Sequence, residues 1–119
     1  MHPIIAKLDA WGCNMACIHD RFLDDEDFYL SMLEVAAADE NYQRLEQALA
    51  AADPVQAFER AHALKGSLGN MGLTPLYNPM CRIVDLLRGG VLQDVSQPLR
   101  QVEQGRQELA RIMESEPQP

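Results

Sequence analysis

The stretch Asp53-Pro54-Val55-Gln56-Ala57-Phe58-Glu59-Arg60-Ala61-His62-Ala63-Leu64-Lys65-Gly66-Ser67-Leu68-Gly69-Asn70-Met71-Gly72 reads as one helix with both ends marked. Asp53 is an N-cap residue, Pro54 suits the first helical position, where a backbone donor is dispensable, and Gln56 completes a capping box. Gly72 offers a left-handed C-cap, so the helix is predicted from about residue 54 to about Met71. At about 100° per residue, Ala57, Ala61, Leu64, Leu68 and Met71 gather on one side, with Phe58 at its edge. His62 falls outside that stripe. Gly66 at i+4 and Gly69 at i+7 share its azimuth, which leaves few side chains beside the imidazole. A helical glycine costs about 1 kcal/mol relative to alanine. Two of them beside one histidine call for a reason, and close approach of a partner protein supplies one. Lys65 at i+3 adds a cation within reach.

Working outward, Thr74-Pro75 repeats the helix-start signal. Leu76, Tyr77, Met80, Ile83, Val84 and Leu87 then recur at helical spacing until Gly89-Gly90 stops the run. Pro79 is awkward inside that run: either the helix kinks there or Asn78-Pro79 is its true start. Upstream, Asp24-Asp25-Glu26-Asp27 sets negative charge at the positive end of a helix that begins at about residue 25. Tyr42, Leu45 and Leu49 carry the apolar pattern on toward Ala52, either continuously or after a bend near Asp39–Asn41. A last helix runs from about Asp94 to Met113, with Val95, Leu99, Val102, Leu109 and Ile112 as its seam and Gly105 as a soft spot. Shorter helices at about 4–10 and 14–22 would close one end. Four long amphipathic segments joined by short loops predict an all-α protein, an up-down four-helix bundle with one or two short extra N-terminal helices. Residues 1–113 form a single domain in this reading, and 114–119 a polar flexible tail.

Composition excludes several classes. A chain of 119 residues suits one core. Eighteen acidic against ten basic residues give a net charge of -8, and no basic stripe is present to follow a phosphate backbone, so nucleic acid is not an expected partner. No apolar run reaches the length of a membrane span, and the amino terminus lacks a signal-peptide core. A cytoplasmic protein with reduced thiols is expected, because three cysteines are an odd number for a disulfide framework. Cys13, Cys17 and His19, with Cys81 or His2, could be drawn as a metal site, but the spacing matches no common zinc motif and no metal is expected. His2 and His19 are expected to face solvent. No facing Glu-x-x-His motifs point to a cofactor inside the bundle.

The segment His62, Leu64, Lys65, Gly66, Ser67 and Gly72 resembles the signature of the histidine-containing phosphotransfer (HPt) family of bacterial and plant phosphorelays. That pattern is His, any residue, Leu, Lys, Gly and a small residue, with a further Gly ten positions after the histidine. Asn70 is similar to the residue common in the family's Gly-Asn-Leu-Gly segment. A weaker likeness runs through Arg21-Phe22-Leu23-Asp24-Asp25-Glu26-Asp27-Phe28-Tyr29-Leu30, so the resemblance covers about residues 8–90.

The resemblance implies a phosphorelay intermediate in which His62 accepts a phosphoryl group from an aspartate of a receiver domain, or from a hybrid kinase, and passes it to another receiver. Lys65 would offset charge on the phosphoryl oxygens, and Gly66, with Gly69 more weakly, would admit the partner. Expected partners are response-regulator receiver domains and a hybrid sensor histidine kinase. The chain is expected to bind no cofactor, since the Mg2+ of the reaction would belong to the receiver, and to be a monomer. Kinase dimerisation helices resemble His-x-Leu-Lys but usually continue with proline where this chain has Ser67. No nucleotide-binding segment is present, so intrinsic ATP-dependent kinase activity is not expected. Met1 and the polar tail favour a free-standing protein over a fragment of a larger kinase. The alternative is a non-catalytic helical adaptor that binds receivers or other partners without accepting phosphate.

Overall fold

The computed structural model describes residues 1–115. Among them every regular element is a helix: α1 (Pro3–Trp11), α2 (Met15–Phe22), α3 (Glu26–Ala37), α4 (Asn41–Ala50), α5 (Pro54–Asn70), α6 (Thr74–Leu87) and α7 (Ser96–Glu114). Short polar side chains set several of the starts. Asn14 accepts the Cys17 N–H to begin α2, Asp25 the Phe28 N–H to begin α3, and Asp53 the Gln56 N–H to begin α5. His2 does the same for α1, its Nδ1 accepting the Ile4 N–H at 3.1 Å while its own N–H donates to Glu26 Oε1. The half-buried His2 is therefore a helix cap rather than the solvent-facing residue expected.

The segment from residue 25 to residue 52 is two helices, not one. Asp39 causes the break: its carboxylate accepts the Asn41 N–H at 2.9 Å, an alternative to continuing the α3 ladder. The turn into α5 places Ala52 in the left-handed region, at φ 55, and returns the Asp53 N–H to the Ala48 carbonyl at 2.9 Å. In α6 the start lies at Thr74, and Pro79 sits inside the helix with its ring buried in the core. The donor that Pro79 lacks would have faced Pro75 in the first turn, and apolar packing of the ring offsets the lost bond.

α5 packs against both α4 and α6, α6 against α7, and α7 returns toward α1 and α3. Arg106 of α7 lies 4.0 Å from the centre of the Tyr42 ring of α4, which brings these helices together as well. The core is mainly aliphatic, with Leu8, Leu64, Leu76, Met80, Ile83 and Leu87 among its fully enclosed side chains; Phe22, Tyr29 and Tyr42 are its buried aromatics, and among the described residues no charged residue is buried in it. No helix among the described residues is long and apolar enough to cross a membrane. α7 extends through Glu114, and Ser115 is held by Lys7, whose Nζ donates to its hydroxyl at 2.6 Å. The rest of the expected tail, 116–119, lies outside the described residues.

Gly105 is not a soft spot. A Cβ there would lie 2.7 Å from Leu76 Cδ2 and 3.3 Å from Leu76 Cγ, and Leu76 is completely buried, so the side chain would have to shift within the core. The helices meet closely because this residue has no side chain. Gly105→Ala gains about 1 kcal/mol of helix propensity but overpacks the contact at a cost of about 1–3 kcal/mol. The expected outcome is a lower midpoint in urea unfolding with an unchanged slope; a higher midpoint would show that the α6–α7 contact has slack.

Candidate functional site

The face of α5 opposite its buried residues Ala57, Ala61, Leu64 and Leu68 carries His62, which is exposed. Side chains on a helix lean toward its N-terminus, so a residue covers the turn before its own. His62 accordingly leans over position 58, where the Phe58 ring stacks against the imidazole with centroids 5.7 Å apart and planes 20° from parallel. A side chain at position 66 would lean over His62 in the same way. Position 66 is glycine, and a Cβ built there meets nothing within 4 Å. The imidazole thus has an aromatic support on one side and open space on the other.

Lys65 is half-buried on the flank facing α6 and forms no ion pair among the described residues, so its ammonium is free to meet an incoming anion. Arg88, just past the end of α6, sets its guanidinium 6.0 Å from the Phe58 ring centre and pairs with Asp85 at 3.3 Å. Gly69 departs from expectation. A Cβ there would lie 3.1 Å from the Tyr77 ring, so Gly69 makes room for α6 rather than for a partner. Tyr77 in turn bonds Cys81, which raises its phenol pKa above the ordinary value.

On the other flank, Ser67, Asn70 and Met71 share a groove of about 550 Å3 with Met32, Val35 and Ala36 of α3. Phe28, Met32 and Val35, spaced i, i+4, i+7 along α3, are 52%, 36% and 64% exposed. An apolar stripe that no element among the described residues covers therefore runs beside α5. The sequence patterning identified α3 as amphipathic but not that its exposed side would border α5, because that depends on how two helices are docked.

The C-terminal end of α5 is anchored from beneath. Met71 caps the helix and Gly72 follows at φ 70; the Gly72 N–H returns to the Gly69 carbonyl and the Leu73 N–H to Leu68, the paired bonds of a Schellman motif. Cys17 Sγ lies 3.5 Å from the Gly69 carbonyl, and Tyr29 donates its hydroxyl to the Met71 carbonyl at 2.9 Å. Cys13 is buried, and burial, with a smaller contribution from Asp9, pushes its thiol up to about 12. A thiol so strongly protonated is a poor metal ligand. His19 pairs instead with Asp24 at 2.5 Å. Among the described residues no group of three or more His, Cys, Asp or Glu side chains converges as a metal site would require.

Sequence reasoning placed His62, Lys65 and Gly66 on one accessible face and missed Phe58 and Arg88. The signal for Phe58 was its i−4 spacing from His62; Arg88 comes from another helix and had none. No curated protein and no solved structure matches the chain. The model of the Hpt domain family matches residues 31–114, which spans α5 with its exposed histidine and most of the chain, and the protein belongs to the Hpt domain family, whose members are phosphotransfer modules of phosphorelays without kinase activity.

Proposed function

We propose that this protein is a phosphorelay intermediate in which His62 accepts a phosphoryl group from a receiver-domain aspartate, or from a hybrid kinase, and passes it to a second receiver. The observation that carries this reading is Gly66: a glycine in mid-helix, beside an exposed histidine, with nothing of the protein's own near its missing side chain. A cost of about 1 kcal/mol in helix propensity has no internal packing reason here, unlike that of Gly69 or Gly105. Space left for another molecule accounts for it. Helices α4, α5, α6 and α7 form an up-down four-helix arrangement in this reading, supported by the packing of α4 on α5, α5 on α6 and α6 on α7 and by Arg106 on Tyr42.

In the transfer step a neutral imidazole nitrogen attacks the phosphorus of the aspartyl phosphate. The N–P bond forms as the acyl O–P bond breaks, the aspartate leaves as a carboxylate with the bonding pair, and the other ring nitrogen releases its proton to water. Histidine suits the task because its neutral form is available near neutral pH and needs no base to generate it. Lys65 offsets the charge on the phosphoryl oxygens. Mg2+ comes with the receiver. The protein acts as a cytoplasmic monomer whose contacts are transient, since a relay must release each partner, and its net charge of -8 steers it toward less acidic receiver faces. The receiver extends from His62 across Ser67 and Asn70 onto the Met32–Val35 stripe, which is continuous with the site and covered by no element among the described residues.

Receiver domains charged with acetyl phosphate in Mg2+ are expected to label the wild type with an acid-labile, alkali-stable adduct. His62→Gln abolishes it and shifts the melting temperature little, because an exposed substitution changes stability by about 0.5 kcal/mol at most. A folded wild type that binds receivers yet takes no label would instead identify the adaptor. Gly66→Ala is expected to stabilise the helix by about 0.5–1 kcal/mol, while Gly66→Gln, whose side chain leans over His62, slows transfer about tenfold or more, equivalent to about 1.4 kcal/mol; unchanged transfer would remove the access role. Met32→Lys and Val35→Lys are expected each to weaken receiver binding by about 1 kcal/mol or more without loss of helicity, and titration calorimetry giving wild-type affinity would place the receiver elsewhere.

A further inference from the structure

We infer that Phe58 is a positioning residue for the transfer, holding the His62 imidazole in one setting while the receiver closes over it; the inference rests on His62 being the phosphoacceptor. The Phe58 and His62 rings are 5.7 Å apart and within 20° of parallel. That offset-stacked geometry is the one aromatic rings favour. Because helical side chains lean toward the N-terminus, a ring at position 58 supports the imidazole without covering the side that Gly66 leaves open. Phe58 is itself restrained. It is half-buried, packs against the core at one edge, and has the Arg88 guanidinium 6.0 Å from its centre. Restraint therefore passes from the core through Phe58 to an imidazole that is otherwise exposed.

An unsupported histidine on a helix samples about two χ1 wells and two ring orientations. Only one of these about four settings points the attacking nitrogen outward in a given geometry. Fixing it beforehand removes an ordering step from the transfer, which is the way positioning groups accelerate reactions between two molecules. Phe58→Leu keeps an apolar side chain at the core edge and removes the stacking plane. The expected result is transfer from a charged receiver slowed about fourfold, with affinity for the uncharged receiver and melting temperature close to wild type. Phe58→Tyr, which keeps the ring, restores the rate. A residue that served only packing would move the melting temperature and would not separate rate from affinity.

The test measures single-turnover transfer and receiver affinity for the wild type, His62→Gln, Phe58→Leu and Phe58→Tyr. It also records, for the wild type alone, nuclear Overhauser contacts between the two rings and the upfield ring-current shift of the His62 carbon-bound protons. Ring contacts in the wild type, with transfer slowed in Phe58→Leu and rescued in Phe58→Tyr, would support the inference. Wild-type speed in Phe58→Leu, or absence of the ring contacts, would overturn it while leaving the phosphoacceptor reading standing. A wild type that takes no label, or a His62→Gln variant that still labels, would overturn that reading and the inference with it.

Discussion

Everything about the position of His62 depends on how α5 is held at its C-terminal end. A helix ends with carbonyls that lack intrahelical partners, and here other elements complete the set. Tyr29 from α3 donates to Met71, Asn14 at the start of α2 donates its N–H to Gly72 at 2.8 Å, and the Cys17 thiol approaches Gly69. Gly72 makes this possible. Its φ of 70 turns the chain, and a Cβ would lie 2.9 Å from the Asn14 carbonyl, so glycine is required on two independent grounds. Burial raises the Tyr29 phenol well above its ordinary ionisation range. Rotation of α5 about its axis would break these bonds together, and the azimuth of the histidine face is fixed by them.

The three glycines inside helices, Gly66, Gly69 and Gly105, show how far a single residue type can differ in meaning. At Gly105 the neighbour is a fully buried core leucine, at Gly69 the ring of Tyr77, and at Gly66 nothing within 4 Å. In the sequence all three are interruptions of an amphipathic pattern. What separates them is the neighbour contributed by another helix, which no local window contains. Only the glycine without such a neighbour is left to be explained by another molecule, and it is the one a turn away from the histidine.

The same division governs what was legible in the sequence. Caps and stripes are local, so Asp53, Pro54 and Gly72 marked α5 to within a residue or two, and the periodicity of Ala57, Ala61, Leu64 and Leu68 set the side on which His62 stands. The two short N-terminal helices and the acidic start of α3 were legible for the same reason. The break at Asp39 was not decidable, because helix continuation and the turn its carboxylate makes with the Asn41 N–H differ by little free energy. Pro79 was ambiguous because its cost is local while the core that accepts its ring is not. His2 read as a solvent-facing residue, since its backbone N–H bond to Glu26 comes from a distant helix, while its cap of the Ile4 N–H uses a side chain outside the usual Ser, Thr, Asp and Asn set.

The proposed relay role makes an unusual demand on a small helical domain: the reactive group would have to be accessible to two different partners and yet not wander. A buried histidine would be well ordered but unreachable, and a histidine on a loop would be reachable but disordered. This chain meets both conditions by building the site from a rigid element. The core beneath is mainly aliphatic, and among the described residues no buried polar side chain lacks a partner, so nothing in the interior competes for the imidazole. The Phe58 ring stacks on one side of the imidazole, the space beside Gly66 is open on the other, and Lys65 has no ion pair among the described residues. Order is thus supplied from the N-terminal side of the histidine and access from the C-terminal side, an arrangement that follows from the direction in which every helical side chain leans. Exchanging the two residues would reverse it, since a ring at position 66 would lean onto the face the partner needs and a glycine at 58 would leave the imidazole unsupported.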